Sequence, residues 1–156
     1  EVEIGYVLGE TLPGEGCTEE DVLAATEYIV PSIELIDSRI RNWKIGLVDT
    51  IADNASSAGV ILGAGRVRPS DIDIGGISAV LFEDGVEIAH GEASAVLGNP
   101  TKAVAWLART VAGFGVRLEA GHVILPGSCT RAIDVHAGST FRADFSGIGS
   151  VTAQFK

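Results

Sequence analysis

Methionine is absent from this sequence, cysteine occurs twice, and basic residues are outnumbered almost two to one. Each scarcity excludes something. Cys17 and Cys129 are too few for a disulfide framework and lack the paired spacing of a thiolate zinc site, so both are expected to be reduced and structural. Eleven Lys and Arg against 21 Asp and Glu give a formal charge of -10. Such a surface repels nucleic acid and anionic membranes, and neither is expected as a partner. No apolar run approaches the roughly 18 residues of a transmembrane span, and the expected location is cytoplasmic. The three histidines, at 90, 122 and 136, are dispersed without zinc-ligand spacing. A chain opening on Glu1 with no methionine is expected to follow a further N-terminal segment in the gene product.

What is present is an ordinary apolar fraction, 46%, broken by 20 glycines and five prolines. Short apolar segments between glycine turns suit a sheet protein better than a helical bundle. Glu1 to Leu8 reads as a strand, and Thr18 as the cap of a helix from Glu19 to Tyr28 that Pro31 closes. Ser32 to Ser38 reads as a strand with Ile33, Leu35 and Asp37 on one face and Glu34, Ile36 and Ser38 on the other. Trp43 to Leu47 is expected to extend the sheet, Val48 to Ala52 to form a helical turn, and Val60 to Leu62 a buried strand. Asp84-Gly85 between Ile77–Phe82 and Val86–His90 is a hairpin signal. Asn99 and Pro100 open a helix whose apolar face is expected at Ala103, Leu107, Val111 and Phe114. Further strands are expected near 123–125, 132–135, 140–145 and 151–155. The pattern defines one domain, 1–156, of the α+β class: mostly β, a mixed, mostly antiparallel sheet curled into a roll or barrel, with two main helices.

Glu1 and Glu3, two apart on a strand, share a face. An edge strand with two solvated glutamates is one reading. Glu34 opens another, because it stands between Ile33 and Leu35, where a carboxylate must be paired or bound. Three converging carboxylates suit magnesium or manganese, hard cations that take oxygen ligands.

The run Glu34-Leu35-Ile36-Asp37-Ser38-Arg39-Ile40, then Trp43-Lys44-Ile45-Gly46-Leu47 and Asp49 to Ser57, resembles the 2-keto-4-pentenoate hydratases of the fumarylacetoacetate hydrolase superfamily. Leu97 to Pro100 before Ala103–Ala108, Gly121 to Thr130 and Gly147 to Val151 agree in order. The resemblance implies the superfamily's C-terminal catalytic domain and a metal-dependent hydro-lyase, with Glu1, Glu3 and Glu34 holding Mg2+ or Mn2+. The metal would chelate the carboxylate and 2-oxo oxygens of a small unsaturated 2-oxo or 2-hydroxy acid. Water would add to 2-hydroxypenta-2,4-dienoate to give 4-hydroxy-2-oxopentanoate, in the meta-cleavage breakdown of aromatic compounds or steroids.

Asp53, Asn54 and Ser56 are the implied catalytic set, able to position water or donate to the substrate; an Asx or serine turn is the other reading of that run. Ser57, Ser128 and Thr130 are implied substrate contacts, and Asp37 with Arg39 is expected to form a structural ion pair. The family's N-terminal segment carries a proton-transfer lysine, Asn99 stands where histidine is common, and Pro126-Gly127-Ser128-Cys129 departs from the usual pattern. 4-Oxalocrotonate decarboxylase is the nearest rival, a carbon-carbon hydrolase a more distant one, and a catalytically silent partner subunit the third. A homo-oligomer is expected, with association to a downstream aldolase or a decarboxylase implied by the resemblance.

Overall fold

The computed structural model describes residues 1–156. Eight strands form two four-stranded sheets, ordered β3-β2-β1-β6 and β5-β4-β7-β8. The strands are β1 (Val2–Leu8), β2 (Thr26–Ile36), β3 (Ser57–Leu62), β4 (Ser78–Glu83), β5 (Val86–Glu92), β6 (Val123–Ile124), β7 (Thr140–Phe145) and β8 (Gly149–Gln154). Helices α1 (Glu19–Ala25) and α3 (Pro100–Ala112) are the two expected, and α2 (Leu47–Ala52) is a short third. The expected mostly-β α+β roll is therefore present, but every strand pair is antiparallel, so the sheets are not mixed. Between them lies a core of 27 buried residues, with Val2, Ile4 and Tyr6 of β1 opposed to Leu81, Phe141 and Val151 of the second sheet.

Local chemistry accounts for the element ends. Thr18 accepts from the Asp21 amide at 3.1 Å while the Asp21 carboxylate accepts from the Thr18 amide at 2.8 Å, a reciprocal cap. Asn99 accepts from the Thr101 amide at 2.9 Å, with Pro100 at the first helical position. Asp84 and Gly85 both take positive φ, 48° and 86°, which the tight β4–β5 turn requires.

Several expectations fail for identifiable reasons. The first helix stops at Ala25, and Thr26 to Ile36 is one long strand that passes through Pro31. Thr26, Tyr28, Ile29 and Val30 favour a strand. Proline is tolerated because its missing donor falls where β3 gives way to Gly63, whose amide donates to the Pro31 carbonyl at 2.8 Å. Trp43 to Leu47 adds no strand: Asn42 and Trp43 turn left-handed, at φ 57° and 53°, and Leu47 begins α2. Residues 132–135 are irregular. β3 is an edge strand, not a buried one, leaving Val60 and Leu62 exposed. On α3 the buried stripe is Thr101, Val104, Ala105 and Ala108, while Phe114 is 82% exposed. Small residues let the helix approach Tyr6, whose hydroxyl meets that of Thr101 at 2.9 Å.

No helix is long and apolar enough to cross a membrane. The sheets meet closely at Gly63 and Gly65, where a Cβ would collide with the Ser150 carbonyl and Pro31 ring, and with the Ile148 carbonyl, respectively. Gly65→Ala is therefore expected to cost about 1–3 kcal/mol by overpacking. Gly59→Ala, whose nearest neighbour would be the Leu35 Cδ1 at 3.9 Å, should stay within about 0.5 kcal/mol of the parent. Urea denaturation midpoints measure both.

Candidate metal centre

The register of β1 on β2 brings the three glutamates together. Val2 faces Ile33 and Glu3 faces Ser32, so Glu1 falls opposite Glu34. Those two exchange backbone hydrogen bonds of 2.9 and 3.0 Å. Directly opposed residues project to the same side of a sheet, as do residues two apart. Glu1, Glu3 and Glu34 consequently offer carboxylate oxygens that all lie within 4.8 Å of one another.

Glu3 is 2% exposed, and its Oε2 accepts from the Gly127 amide at 2.7 Å. Burial pushes its carboxyl up to about 7; the Gly127 bond pulls the other way, and the Glu34 carboxylate adds to the rise. Glu1 is also raised, first by burial and also by Glu34. A trio of carboxylates at this spacing with one main-chain donor is under-compensated, and an added cation relieves both burial and repulsion. Oxygen donors without histidine or thiolate match a hard divalent ion.

The 53–57 run lies at the far end of β2, where the Ser56 carbonyl accepts from the Asp37 amide at 2.9 Å. Asp53 does not stand free. It accepts from Arg39 Nε at 2.6 Å, from the Arg39 amide at 3.1 Å and from Ser38 Oγ at 3.4 Å. Burial raises its pKa, but these bonds and the guanidinium charge outweigh it and hold the carboxyl below the usual range. Arg39 thus pairs with Asp53 and not with Asp37, of which it touches only the carbonyl, at 2.7 Å. Arg39 lies beyond the end of β2, and the return from α2 carries Asp53 back to it. Asn54, Ala55 and Ser56 are all left-handed, at φ 53°, 55° and 61°, a conformation that costs non-glycine residues of order 1–3 kcal/mol and concentrates at functional sites. Asn54 is exposed, whereas Ser56 is 3% exposed with its Oγ unpartnered. Ser57 begins β3, and its carbonyl accepts from Arg39 at 3.1 Å.

Ser128 sits beside the cluster, but its hydroxyl is occupied: it accepts from the Val2 amide at 3.1 Å and donates to the Val2 carbonyl at 3.3 Å. Thr130 donates to the Arg131 carbonyl. Both residues line a cavity shared with His90 and Arg131, while Glu1 and Glu34 line a different one of 540 Å³ with Trp43, Asp37 and Asp134. None of Asp53, Asn54, Ser56 and Ser57 lines either cavity. Sequence reasoning missed the Gly127 amide, since a backbone donor leaves no residue-type signature beyond the glycine itself. The lining roles of Trp43 and residues 132–135 are hidden in the same way, because their composition favours strands.

Residues 1–156 match the fumarylacetoacetate (FAA) hydrolase C-terminal family, and the chain belongs to it. It is 43% identical over 161 residues to the 2-oxo-hept-4-ene-1,7-dioate hydratase of Escherichia coli, covering 99% of this chain and 60% of the relative. It is 41% identical over 156 residues to the 2-keto-4-pentenoate hydratase of Paraburkholderia xenovorans, covering 100% of this chain and 58% of the relative. Among solved structures, the 4-oxalocrotonate decarboxylase of Pseudomonas putida G7, complexed with magnesium and adipate, superposes with a TM-score of 0.95 at 37% identity. That match covers 100% of this chain and 59% of the decarboxylase. The chain thus spans about three fifths of the length of these relatives.

The Glu3 shift sets a pH dependence. Its folded pKa lies above that of the unfolded chain, so the folded state binds the extra proton between the ordinary carboxylate value and about 7. Stability contributed by this group is lost as pH rises through that window. In chelator, the gap between the parent and Glu3→Gln, which keeps an acceptor for Gly127, should widen in favour of the variant from about pH 5 to about pH 8. Thermal melts across the range measure the gap.

Proposed function

We propose that this chain is the catalytic domain of a divalent-metal-dependent hydro-lyase. It adds water to 2-hydroxypenta-2,4-dienoate or a substituted analogue, giving 4-hydroxy-2-oxopentanoate or its counterpart, in aromatic meta-cleavage catabolism. The observation carrying this reading is the convergence of Glu1, Glu3 and Glu34 in a chain 41% and 43% identical to two hydratases. Magnesium, present in the related decarboxylase structure, or manganese fits the all-carboxylate set. When bound, such a cation supplies Lewis-acid polarisation of the substrate carboxylate and 2-oxygen.

The remaining work falls to the chain. Gly127 fixes the Glu3 carboxylate, leaving Glu1 and Glu34 to close the set at the cavity rim. Ser56 has a buried hydroxyl with no protein partner; it lines neither cavity, and its assigned part is to donate to a substrate or water that reaches the 54–56 turn. Asp53, bound to Arg39, is a positioning residue that holds the 54–56 turn, and Asn54 offers an exposed amide beside it. Ser57 and Thr130 are secondary contacts, and Ser128 seats the main chain between Glu1 and Glu3 through Val2. The exposed Val60 and Leu62 of edge strand β3 support a homo-oligomer.

Full-length protein with Mg2+ or Mn2+ is expected to consume 2-hydroxypenta-2,4-dienoate and form 4-hydroxy-2-oxopentanoate, followed by loss of diene absorbance and product analysis. The similarity to 4-oxalocrotonate decarboxylase supports a second reading; carbon dioxide release from 4-oxalocrotonate without water addition to the dienoate would establish it instead. A cation at about 100 times its Kd should stabilise the parent by about 2.7 kcal/mol, with no such gain in Glu3→Gln or Glu34→Ala. Ser56→Ala should stabilise the fold by about 1 kcal/mol, by removing an unsatisfied buried hydroxyl, while lowering kcat/KM on the order of tenfold or more. Denaturation and steady-state kinetics on one preparation report both effects.

A further inference from the structure

The two sheets present four edge strands, and three of them are guarded. β5 carries Glu87, His90 and Glu92, β6 is two residues long, and β8 is closed off where Gly63 and Gly65 approach the Ser150 and Ile148 carbonyls. Charge, brevity and cover are devices that keep an edge from pairing with another chain. β3 has none of the three: it holds no charged residue and no proline, and only β2 pairs with it. Its one irregularity is the extra residue Ala58, where the register against Leu35 and Ile36 shifts; Gly59 to Leu62 run on regularly. The segment that feeds β3 is apolar on its outside. α2 buries no residue, and its Leu47, Val48 and Ile51, with Trp43 before it and Val60 and Leu62 beyond, are between 40% and 80% exposed. No other stretch of that length exposes as many large apolar side chains. Charge sets this corner apart as well: residues 37–62 balance Asp37, Asp49 and Asp53 against Arg39, Arg41 and Lys44, in a chain of formal charge -10.

Resting on the homo-oligomer reading above and deepening it, we propose that β3 pairs antiparallel with β3 of a second copy of this chain about a two-fold axis, with the apolar corner from Trp43 to Ile51 packing at the ends of the joined strands. A two-fold axis presents the same edge from both sides, so the free amides and carbonyls of one β3 meet those of the other. Two chains of like charge repel wherever their acidic surfaces face each other, and the neutral 37–62 corner is where they approach without that repulsion. A cationic partner would be drawn to the acidic remainder of the surface instead. The area agrees. An interface of standard size takes about 800 Å² from each partner, somewhat over half of it non-polar. At on the order of 100 Å² per side chain of this size when fully buried, the six exposed residues offer on the order of 400 Å² per copy. The pairing also bears on the 54–56 turn, whose three left-handed residues run directly into Ser57: joining the two β3 strands fixes the far end of that turn in both copies.

Sedimentation velocity on the full-length protein gives its mass, and a cysteine series, Gly59→Cys, Val60→Cys, Ile61→Cys and Leu62→Cys, locates the axis. The native Cys17 and Cys129 are buried and do not compete. Mild oxidation should give a covalent dimer, strongest at one position and falling away on either side, because only residues beside the axis bring their Cα atoms within about 4.4–6.8 Å of each other. Val48→Lys combined with Leu62→Lys sets like charges across the axis and should at least halve the sedimenting mass while the circular dichroism stays that of the parent. Should the double variant not fold, the cysteine series decides alone. A folded double variant of unchanged mass overturns the pairing. A monomeric parent removes both the pairing and the homo-oligomer reading. An oligomer in which none of the four cysteines cross-links removes the pairing and keeps the homo-oligomer. Cysteines that neither cross-link nor react with iodoacetamide in the folded protein show the edge covered by another part of the same polypeptide, and overturn the pairing as well.

Discussion

The antiparallel register of β1 on β2 is the constraint on which both the fold and the site depend. It opposes Val2 to Ile33 and Ile4 to Pro31 within the core, and by the same step opposes Glu1 to Glu34. Because side chains alternate along a strand, a slip of one residue would turn Glu3 into the apolar core and Val2 out of it. The hydrophobic pattern therefore protects the carboxylate cluster without any of the three glutamates stabilising the fold. Burial of Val2, Ile4, Tyr6 and Leu8 holds the register, and like charges are tolerated close together as a consequence.

That division of labour extends outward. The second sheet contributes no carboxylate to the cluster, yet Phe141 and Leu81 wall the cavity beside it. The irregular stretch from Gly127 to Val135 serves both features: its first residue donates to Glu3, while residues 132–135 line the cavity. Opposite it, the return from α2 is held by Arg39, whose guanidinium makes four hydrogen bonds to the 37, 53 and 57 positions. One segment braces the cluster from the side of β1 and the other from the end of β2.

Features governed by neighbouring residues were legible in the sequence. Thr18 with Asp21, Asn99 with Pro100, and Asp84 with Gly85 each carry their own geometry. Glu34 between two large aliphatic residues signalled a carboxylate in need of a partner, and the structure sets it beside Glu1 and Glu3. Features decided at a distance were not legible. Pro31 marks a helix end by local rules, but here a strand passes through it because β3 stops where its amide would have been needed. Arg39 looks like a partner for Asp37 until the chain returns with Asp53. Residues 132–135 have strand composition without a neighbouring strand to pair with.

The bond from Gly127 to Glu3 is made by the peptide backbone and not by a side chain. Gly127 has φ 135°, and a Cβ there would press on Val96 at 3.3 Å, so glycine is the residue this position accepts with least strain. A main-chain donor survives substitution at every neighbouring codon that preserves the loop's path. Mutational drift can therefore reshape the cavity wall at 132–135 while the hold on Glu3 persists, so the wall and the carboxylate cluster are free to change at different rates.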